Sequence, residues 1–150
     1  MRAPNGGKPA EILLVEDEEN EVELTKEGFA RANLTVNLRH VDNGEKCLAY
    51  LRKQAPYADA PTPDLILLDL NMPRMDGRQV MAEIVRDEAL RHLPVVVLTT
   101  SSAEADILEM YKLRCNSYII KPVGFDDFVQ AITLLGSYWL TLTKPPSARA

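Results

Sequence analysis

Several acidic, hydroxyl and ammonium groups stand where apolar runs of this sequence end. Asp69 closes one such run, and Glu16 and Asp17 follow an earlier one. Two later runs end in Thr99 and in Lys121. The carboxyl ends of parallel strands meet at one edge of an open α/β sheet, where such sheets bind ligands. The sequence therefore predicts one crevice that collects carboxylates, a hydroxyl and an ammonium.

The carboxylates of this set predict a site for a divalent cation. Glu16, Asp17 and Asp69 within a few ångströms would repel one another and raise their pKa values. Mg²⁺ relieves such repulsion and prefers oxygen ligands, and the backbone carbonyl of Asn71 is a further candidate ligand. The plainer alternative, in which each acid caps a helix or is solvated, would suffice for Glu16 or Asp17 alone.

The same crevice could also support phosphoryl chemistry. An aspartate such as Asp69 can act as a covalent nucleophile toward phosphorus and form an aspartyl phosphate. The phosphoryl oxygens then need cations and hydrogen-bond donors. Mg²⁺, the Lys121 ammonium and the Thr99 hydroxyl would provide them.

Strand and helix patterns alternate five times along the chain. This alternation predicts an α/β fold with a doubly wound, five-stranded parallel sheet. The predicted strands lie near 11–16, 35–41, 64–69, 94–99 and 117–121, and the predicted helices near 18–32, 43–54, 77–90, 103–114 and 124–142. The spacings Asp42–Glu45 and Ser101–Glu104 predict capping boxes at two of the helix starts.

Length and composition favour one domain. The chain has 150 residues, of which 46% are hydrophobic and 26% charged. We expect a flexible segment at 1–10, one domain with an extended last helix at 11–143, and a disordered tail at 144–150.

The net charge of −5 excludes the basic surface that non-specific nucleic-acid binding requires. No polybasic run or long apolar stretch predicts membrane association. Cys47 and Cys115 are far apart and lack CxxC spacing, which favours two reduced thiols and a cytoplasmic location.

Over residues 11–136 the chain resembles the response-regulator receiver domains of two-component signalling. The resemblance is carried by Glu16-Asp17, the run DLNMPRMDG at 69–77, Thr99, Tyr118 and Lys121-Pro122, in the order of that family. It implies a flavodoxin-like (βα)5 fold with strand order 2-1-3-4-5. It also implies that Asp69 is the phosphorylation site and that the chain is a phosphoacceptor rather than an ordinary enzyme.

The resemblance implies a role for each matching residue. Asp17 and Asp69 would be side-chain ligands of Mg²⁺, Glu16 would contribute weakly or through a water, and Lys121 would pair with the phosphoryl group.

Thr99 and Tyr118 would form a switch pair, and the peptide bond between Lys121 and Pro122 would be cis. Thr100 stands where many members have Ala or Gly, which leaves the rate of self-dephosphorylation open.

A finer resemblance links the chain to the small stand-alone regulators paired with cyanobacterial phytochromes. It rests on the Pro-rich loop at 54–63 and on the runs at 98–102, 121–128 and 138–140. It implies a sensor histidine kinase as partner, with a phytochrome as the first candidate.

Nothing after about residue 143 could form an output domain, so we expect output through protein contacts or through onward transfer in a phosphorelay. Apolar residues on the last two helices predict a homodimer. The predicted interface comprises Ile107, Met110, Tyr111, Tyr138, Trp139 and Leu142.

Other functions fit less well. A haloacid-dehalogenase-type phosphatase needs a second Asp two residues after its nucleophile, where this chain has Asn71. An FMN site would be repelled by the acidic turn after the first strand, and no P-loop motif is present. A pseudo-receiver used only as an interaction module remains the main rival. His40 and His92 are not expected near the crevice.

Overall fold

Five parallel strands form a single sheet in the computed structural model, which describes residues 9–142. The strands are β1 (Ala10–Val15), β2 (Val36–Val41), β3 (Leu65–Leu68), β4 (Val95–Thr99) and β5 (Ser117–Ile120). Their order is β2-β1-β3-β4-β5. This order confirms the predicted doubly wound α/β fold. The expected tail at 144–150 and most of the expected flexible N-terminal segment lie outside the described residues.

Five α-helices cover the two faces of the sheet. They are α1 (Glu19–Arg31), α2 (Gly44–Leu51), α3 (Gly77–Arg86), α4 (Glu104–Lys112) and α5 (Phe125–Ser137), and a π-helical turn (Tyr138–Leu142) follows α5. One hydrophobic core lies between the sheet and α1 and α5, and the other lies beneath α2, α3 and α4. Among the described residues, no helix is both long enough and apolar enough to span a bilayer.

The central strands are apolar at nearly every position because both of their faces are covered. On β1, Ile12 and Leu14 belong to the core under α1 and α5, whereas Leu13 and Val15 belong to the opposite core. Side chains alternate between the two faces of a strand, so a strand buried on both sides needs apolar residues throughout.

The strand register sets the positions of the groups that follow the strands. Val15 pairs with Leu68, so Glu16 and Asp69 leave the sheet side by side. The backbone N–H of Asp69 donates to the carbonyl of Val15 at 3.1 Å. The sheet itself therefore brings the acidic groups together at its carboxyl edge.

Gly77 allows the start of α3 to approach the segment after β3. A Cβ atom at this position would lie 2.4 Å from the Asp69 carbonyl oxygen and 2.8 Å from Leu70 Cα. The Gly77 N–H donates to the Leu70 carbonyl at 2.9 Å. A larger residue would push α3 away from the loop that carries Asp69.

The capping box predicted at 42–45 is wrong. Asn43 caps α2 instead, and its side chain accepts from the N–H of Lys46 at 2.9 Å. A capping box does occur at α3, where Asp76 and Gln79 satisfy each other's backbone N–H groups. Asp42, Asn43 and Asp76 are all residue types that cap helices, so spacing alone could not show which of them forms a capping box.

The capping box predicted at 101–104 is also wrong. Helix α4 starts after Ala103 without a side-chain cap. The hydroxyl of Ser101 donates instead to Asp106 Oδ2 at 2.6 Å. The hydroxyl of Ser101 is thus bonded to a side chain in the first turn of α4 rather than to a backbone N–H group of that helix.

One further expectation fails, and another is met in altered form. The peptide bond before Pro122 is not cis; among the described residues the cis bond lies between Ala55 and Pro56. The last helix, predicted near 124–142, does extend to Leu142, but α5 ends at Ser137 and the remaining residues form the π turn.

Candidate functional site

Three carboxylates meet at the carboxyl edge of the sheet. Glu16 and Asp17 follow β1, and Asp69 follows β3. One carboxylate oxygen of each lies within 4.8 Å of those of the other two. Glu16 and Asp69 are buried, with relative exposures of 2% and 7%, and Asp17 is partly exposed. The structure thus brings together the three acids that sequence analysis selected.

Lys121 adds one ammonium to this acidic cluster from the end of β5. Its Nζ lies 2.6 Å from Glu16 Oε1, 3.0 Å from Glu21 Oε1 and 3.7 Å from Asp69 Oδ2. The backbone N–H of Lys121 donates to the carbonyl of Thr99 at 2.7 Å. One positive charge therefore faces more carboxylates than it can neutralise.

Burial and neighbouring charges shift the pKa values of Glu16 and Lys121. Burial is the main reason why the pKa of Glu16 is raised to about 7; Lys121 opposes this shift and Asp69 adds to it. Burial alone would lower the pKa of Lys121, but its contacts with Glu16 and Asp69 outweigh burial and raise it. The Lys121 ammonium therefore stays charged, and a metal cation bound beside Glu16 would lower the pKa of that carboxyl again.

An unpartnered oxygen of Asp17 supports a cation at this place. Asp17 Oδ1 is buried and has no hydrogen-bond partner among the described residues. A buried acceptor without a partner is costly, and hard oxygen donors are the ligands that Mg²⁺ prefers. The residues present therefore fit a divalent cation held by Asp17 and Asp69.

Asn71 lies beside this cluster through its backbone. Its N–H contacts Asp69 Oδ1 at 3.5 Å, which brings the main chain of Asn71 next to the carboxylate. Coordination by the Asn71 carbonyl stays a prediction.

Ser101 contacts both residues of the predicted switch pair. Its N–H contacts Thr99 Oγ1 at 3.4 Å, and its carbonyl accepts from the Tyr118 hydroxyl at 2.9 Å. Thr99 is completely buried, while the ring of Tyr118 is half-buried against the core beneath α2, α3 and α4. A displacement of Thr99 would thus reach Tyr118 through one residue.

The polar contacts of Ser101 continue to α3. Asp106, which accepts from the Ser101 hydroxyl, forms an ion pair with Arg78 at 2.6 Å. The hydrogen bond from Arg78 is the main reason why the pKa of Asp106 is lowered. These contacts tie the start of α4 to the start of α3, close to the loop that carries Asp69.

Sequence analysis missed two residues of the crevice. Glu21 reaches Lys121 from the first turn of α1. His40 was expected to lie elsewhere, but its Nε2 is 2.6 Å from the backbone carbonyl oxygen of Glu16. The pairing of Val15 with Val41 explains this contact, because it sets the end of β2 beside the residue after β1.

The residues predicted to form the dimer interface differ in their exposure to solvent. Tyr111 and Tyr138 are exposed, at 49% and 54%. Met110 is completely buried, so its assignment to an interface is wrong. Trp139 packs against the core between the sheet and α1 and α5 and is only partly exposed.

The other two predicted dimer residues give less information. Ile107 is partly exposed, and the side chain of Leu142 lies outside the described part of the chain. Two exposed residues that sequence analysis did not select, Leu108 and Ile120, lie on α4 and β5 with exposures of 56% and 44%. They extend the exposed apolar surface around Tyr111.

Known sequences resemble this chain over most of its length. The family model of the response regulator receiver domain matches residues 12–133. Rcp1, a response regulator of Synechocystis sp., is 39% identical over 140 residues, which cover 93% of this chain and 95% of Rcp1. FilR2 of Methanothrix harundinacea, a probable methanogenesis regulatory protein, is 38% identical over 138 residues, covering 92% of this chain and 88% of FilR2.

Two solved structures of response regulators also resemble this chain over most of its length. The phosphorylated cyanobacterial phytochrome response regulator RcpA matches with a TM-score of 0.90 and 41% identity, covering 93% of this chain and all of RcpA. The Mn²⁺-bound form of Rcp1 matches with a TM-score of 0.84 and 38% identity, again over 93% of this chain and all of that chain.

The raised pKa of Glu16 leads to a test by pH. Cation binding favours the ionised carboxylate and releases its proton. Mg²⁺ affinity should therefore increase as the pH is raised from about 6 to about 8, across the Glu16 pKa of about 7. Calorimetric titration should show a flatter profile for Glu16→Gln. Glu19→Gln, which removes an exposed carboxylate from the first turn of α1, is the control and should keep the wild-type slope. A slope that is unchanged in Glu16→Gln, or flattened equally in Glu19→Gln, would contradict the assignment.

Proposed function

The chain belongs to the response regulator receiver domain family, and on that premise we propose that Asp69 accepts a phosphoryl group from a sensor histidine kinase. The observation that carries the proposal is the position of Asp69. Its buried carboxylate lies within 4.8 Å of the Glu16 and Asp17 carboxylate oxygens and 3.7 Å from the Lys121 ammonium. Glu16 shares both neighbourhoods, but its two oxygens are held by the Lys121 ammonium at 2.6 Å and by the N–H of Glu18 at 3.1 Å. The oxygens of Asp69 have only the longer contacts with the Asn71 N–H at 3.5 Å and with Lys121 at 3.7 Å, so Asp69 is the freer nucleophile.

The proposed step is a phosphoryl transfer between two side chains. An oxygen of Asp69 bonds to phosphorus while the bond from phosphorus to the imidazole nitrogen of a phosphohistidine breaks, and that nitrogen keeps the electron pair. Lys121 would meet the negative charge of the transferred group, and Thr99 would donate a hydrogen bond to it. Bound Mg²⁺, held by Asp17 and Asp69, would supply further positive charge at the phosphoryl oxygens.

The likeness to RcpA and Rcp1 supports a phytochrome as the kinase. RcpA is a phytochrome response regulator and was solved in a phosphorylated state. A kinase of another sensor class is the second candidate, because FilR2 is similar to the same degree and is a probable methanogenesis regulator. Either kinase would use ATP, which places the proposed transfer in the cytoplasm.

Labelling tests the proposed acceptor. Wild-type protein with Mg²⁺ and acetyl phosphate should gain one phosphoryl group in intact-mass spectrometry, and Asp69→Asn should gain none because the nucleophilic oxygen is lost. Asp59→Asn, which alters an exposed acid in the loop before β3 rather than one that follows a strand, is the matched control and should label like wild type. Continued labelling of Asp69→Asn would overturn the proposal.

We also propose that Thr99 and Tyr118 carry the signal away from Asp69. A phosphoryl group would draw the Thr99 hydroxyl toward itself and away from the 3.4 Å contact with the Ser101 N–H. Ser101 also holds the Tyr118 hydroxyl and Asp106, so its loop could shift between two packings. The phosphoryl group would bias that balance by its different contacts in each packing.

Two adjacent threonines provide a matched test of this switch. Thr99→Ala should still be phosphorylated but should lose most of the change in hydrogen exchange of α4 that phosphorylation causes in wild type. Thr100→Ala, an equal truncation at an exposed position, should keep that change. A full response in Thr99→Ala would mean that the signal leaves Asp69 by another route.

Homodimerisation through the α4, β5 and α5 side is the proposed output. The exposed residues Leu108, Tyr111, Ile120 and Tyr138 support it, and Tyr111 is joined to β5 by the N–H of Tyr118, which donates to the Tyr111 hydroxyl at 3.2 Å. A twofold interface needs only one self-complementary patch of this kind.

Sedimentation tests the dimer. Burying two half-exposed tyrosines from each copy contributes on the order of several kcal/mol before association costs, so Tyr111→Ala combined with Tyr138→Ala should convert dimer to monomer. Phe125→Ala removes an equally exposed aromatic from the other end of α5 and should leave the dimer intact. Wild-type protein that stays monomeric at high concentration, with or without phosphorylation, would end this proposal.

A further inference from the structure

Lys121 has a carboxylate partner that phosphoryl binding does not require. Glu21, on the first turn of α1, lies 3.0 Å from the Lys121 ammonium. Asp69, the proposed acceptor, is farther away at 3.7 Å, which is beyond ordinary hydrogen-bond distance. The ammonium is therefore held toward Glu16 and Glu21 rather than toward Asp69.

Burial separates the partners of Lys121 into fixed and exchangeable ones. The side chains of Lys121 and Glu16 are 4% and 3% exposed, whereas that of Glu21 is 24% exposed. Glu16 is also fixed by its second oxygen, which accepts from the N–H of Glu18 at 3.1 Å. A Glu21 carboxylate that is released from Lys121 can be hydrated, whereas Glu16 would be left as a buried charge without its partner. Glu21 is therefore the partner that Lys121 can release.

Phosphorylation would change the competition for Lys121. A phosphoryl group adds between one and two negative charges and three strong acceptor oxygens, as any phosphorylated side chain does. An ammonium has three N–H donors, and the Lys121 ammonium already directs two of them toward Glu16 and Glu21. Movement of Lys121 toward the phosphoryl group would stretch its contact with Glu21.

We propose that Glu21 is a positioning residue that holds Lys121 away from Asp69 in the unphosphorylated protein and competes with the phosphoryl group for it. This inference depends on the proposed function, since it concerns the same site. Glu21 would thereby weaken the binding of a phosphoryl group relative to a chain with a neutral residue at that position.

Beryllofluoride, a non-covalent mimic of a phosphoryl group, provides the test at saturating Mg²⁺. Glu21→Gln should bind it about three- to fivefold more tightly than wild type, the effect of losing one partly exposed ion pair. Glu19→Gln is the matched control, because it removes the same charge from an exposed position on the same helical turn. It should bind within about twofold of wild type, because the charge of an exposed side chain without a contact to Lys121 is weakened by solvent and salt.

A second measurement follows Lys121 directly. The ¹⁵N resonance of its Nζ should shift in Glu21→Gln before any beryllofluoride is added and should stay in place in Glu19→Gln. A role of Glu21 limited to stabilising α1 would lower the melting temperature without moving that resonance.

The outcomes separate this inference from the function on which it depends. Equal tightening in Glu21→Gln and Glu19→Gln would assign the effect to net charge, and unchanged or weaker binding in Glu21→Gln would also overturn the inference. In both cases beryllofluoride binding to wild type would leave the proposed function standing. Wild-type protein that neither binds beryllofluoride nor labels at Asp69 would overturn both.

Discussion

The ion pair between Lys121 and Glu16 is the interaction on which the site depends. The two residues follow the strands β5 and β1, which are separated in the sheet by β3 and β4. Their contact at 2.6 Å thus spans the crevice, and both side chains are almost completely buried. A buried ion pair contributes little net stability, because desolvation offsets much of the attraction. Its value here is chemical, since it keeps a positive charge beside Asp69.

The sheet order and the central crevice could be predicted because both follow from strand patterns. Apolar runs buried on two faces, each ending in a polar group, specify parallel strands and a shared carboxyl edge. Glu21 could not be predicted in this way. Its contact depends on the angle at which α1 leaves β1, and sequence spacing does not fix that angle. To predict the position of His40 one needs the register of β2, an edge strand, and the alternating sequence pattern of that strand left the register open.

Helix surfaces were predicted less well than strand ends. Met110 and Tyr111 are adjacent on α4, yet one is completely buried and the other is half exposed. A helix of nine residues with several apolar positions leaves its rotation about its own axis undecided, so sequence analysis placed both in one interface. Trp139 was similarly taken as exposed, but the π turn after α5 turns it toward the core.

The central claim is that Asp69 carries the phosphoryl group in a crevice where Asp17 assists a divalent cation and Lys121 neutralises the transferred charge. A crystal structure of the protein with Mg²⁺ and beryllofluoride would test it most directly. We expect beryllium on a carboxylate oxygen of Asp69, Mg²⁺ on Asp17 and Asp69, and the Lys121 ammonium within hydrogen-bond distance of a fluorine. Beryllofluoride bound to another carboxylate, or Mg²⁺ bound away from Asp17 and Asp69, would contradict it.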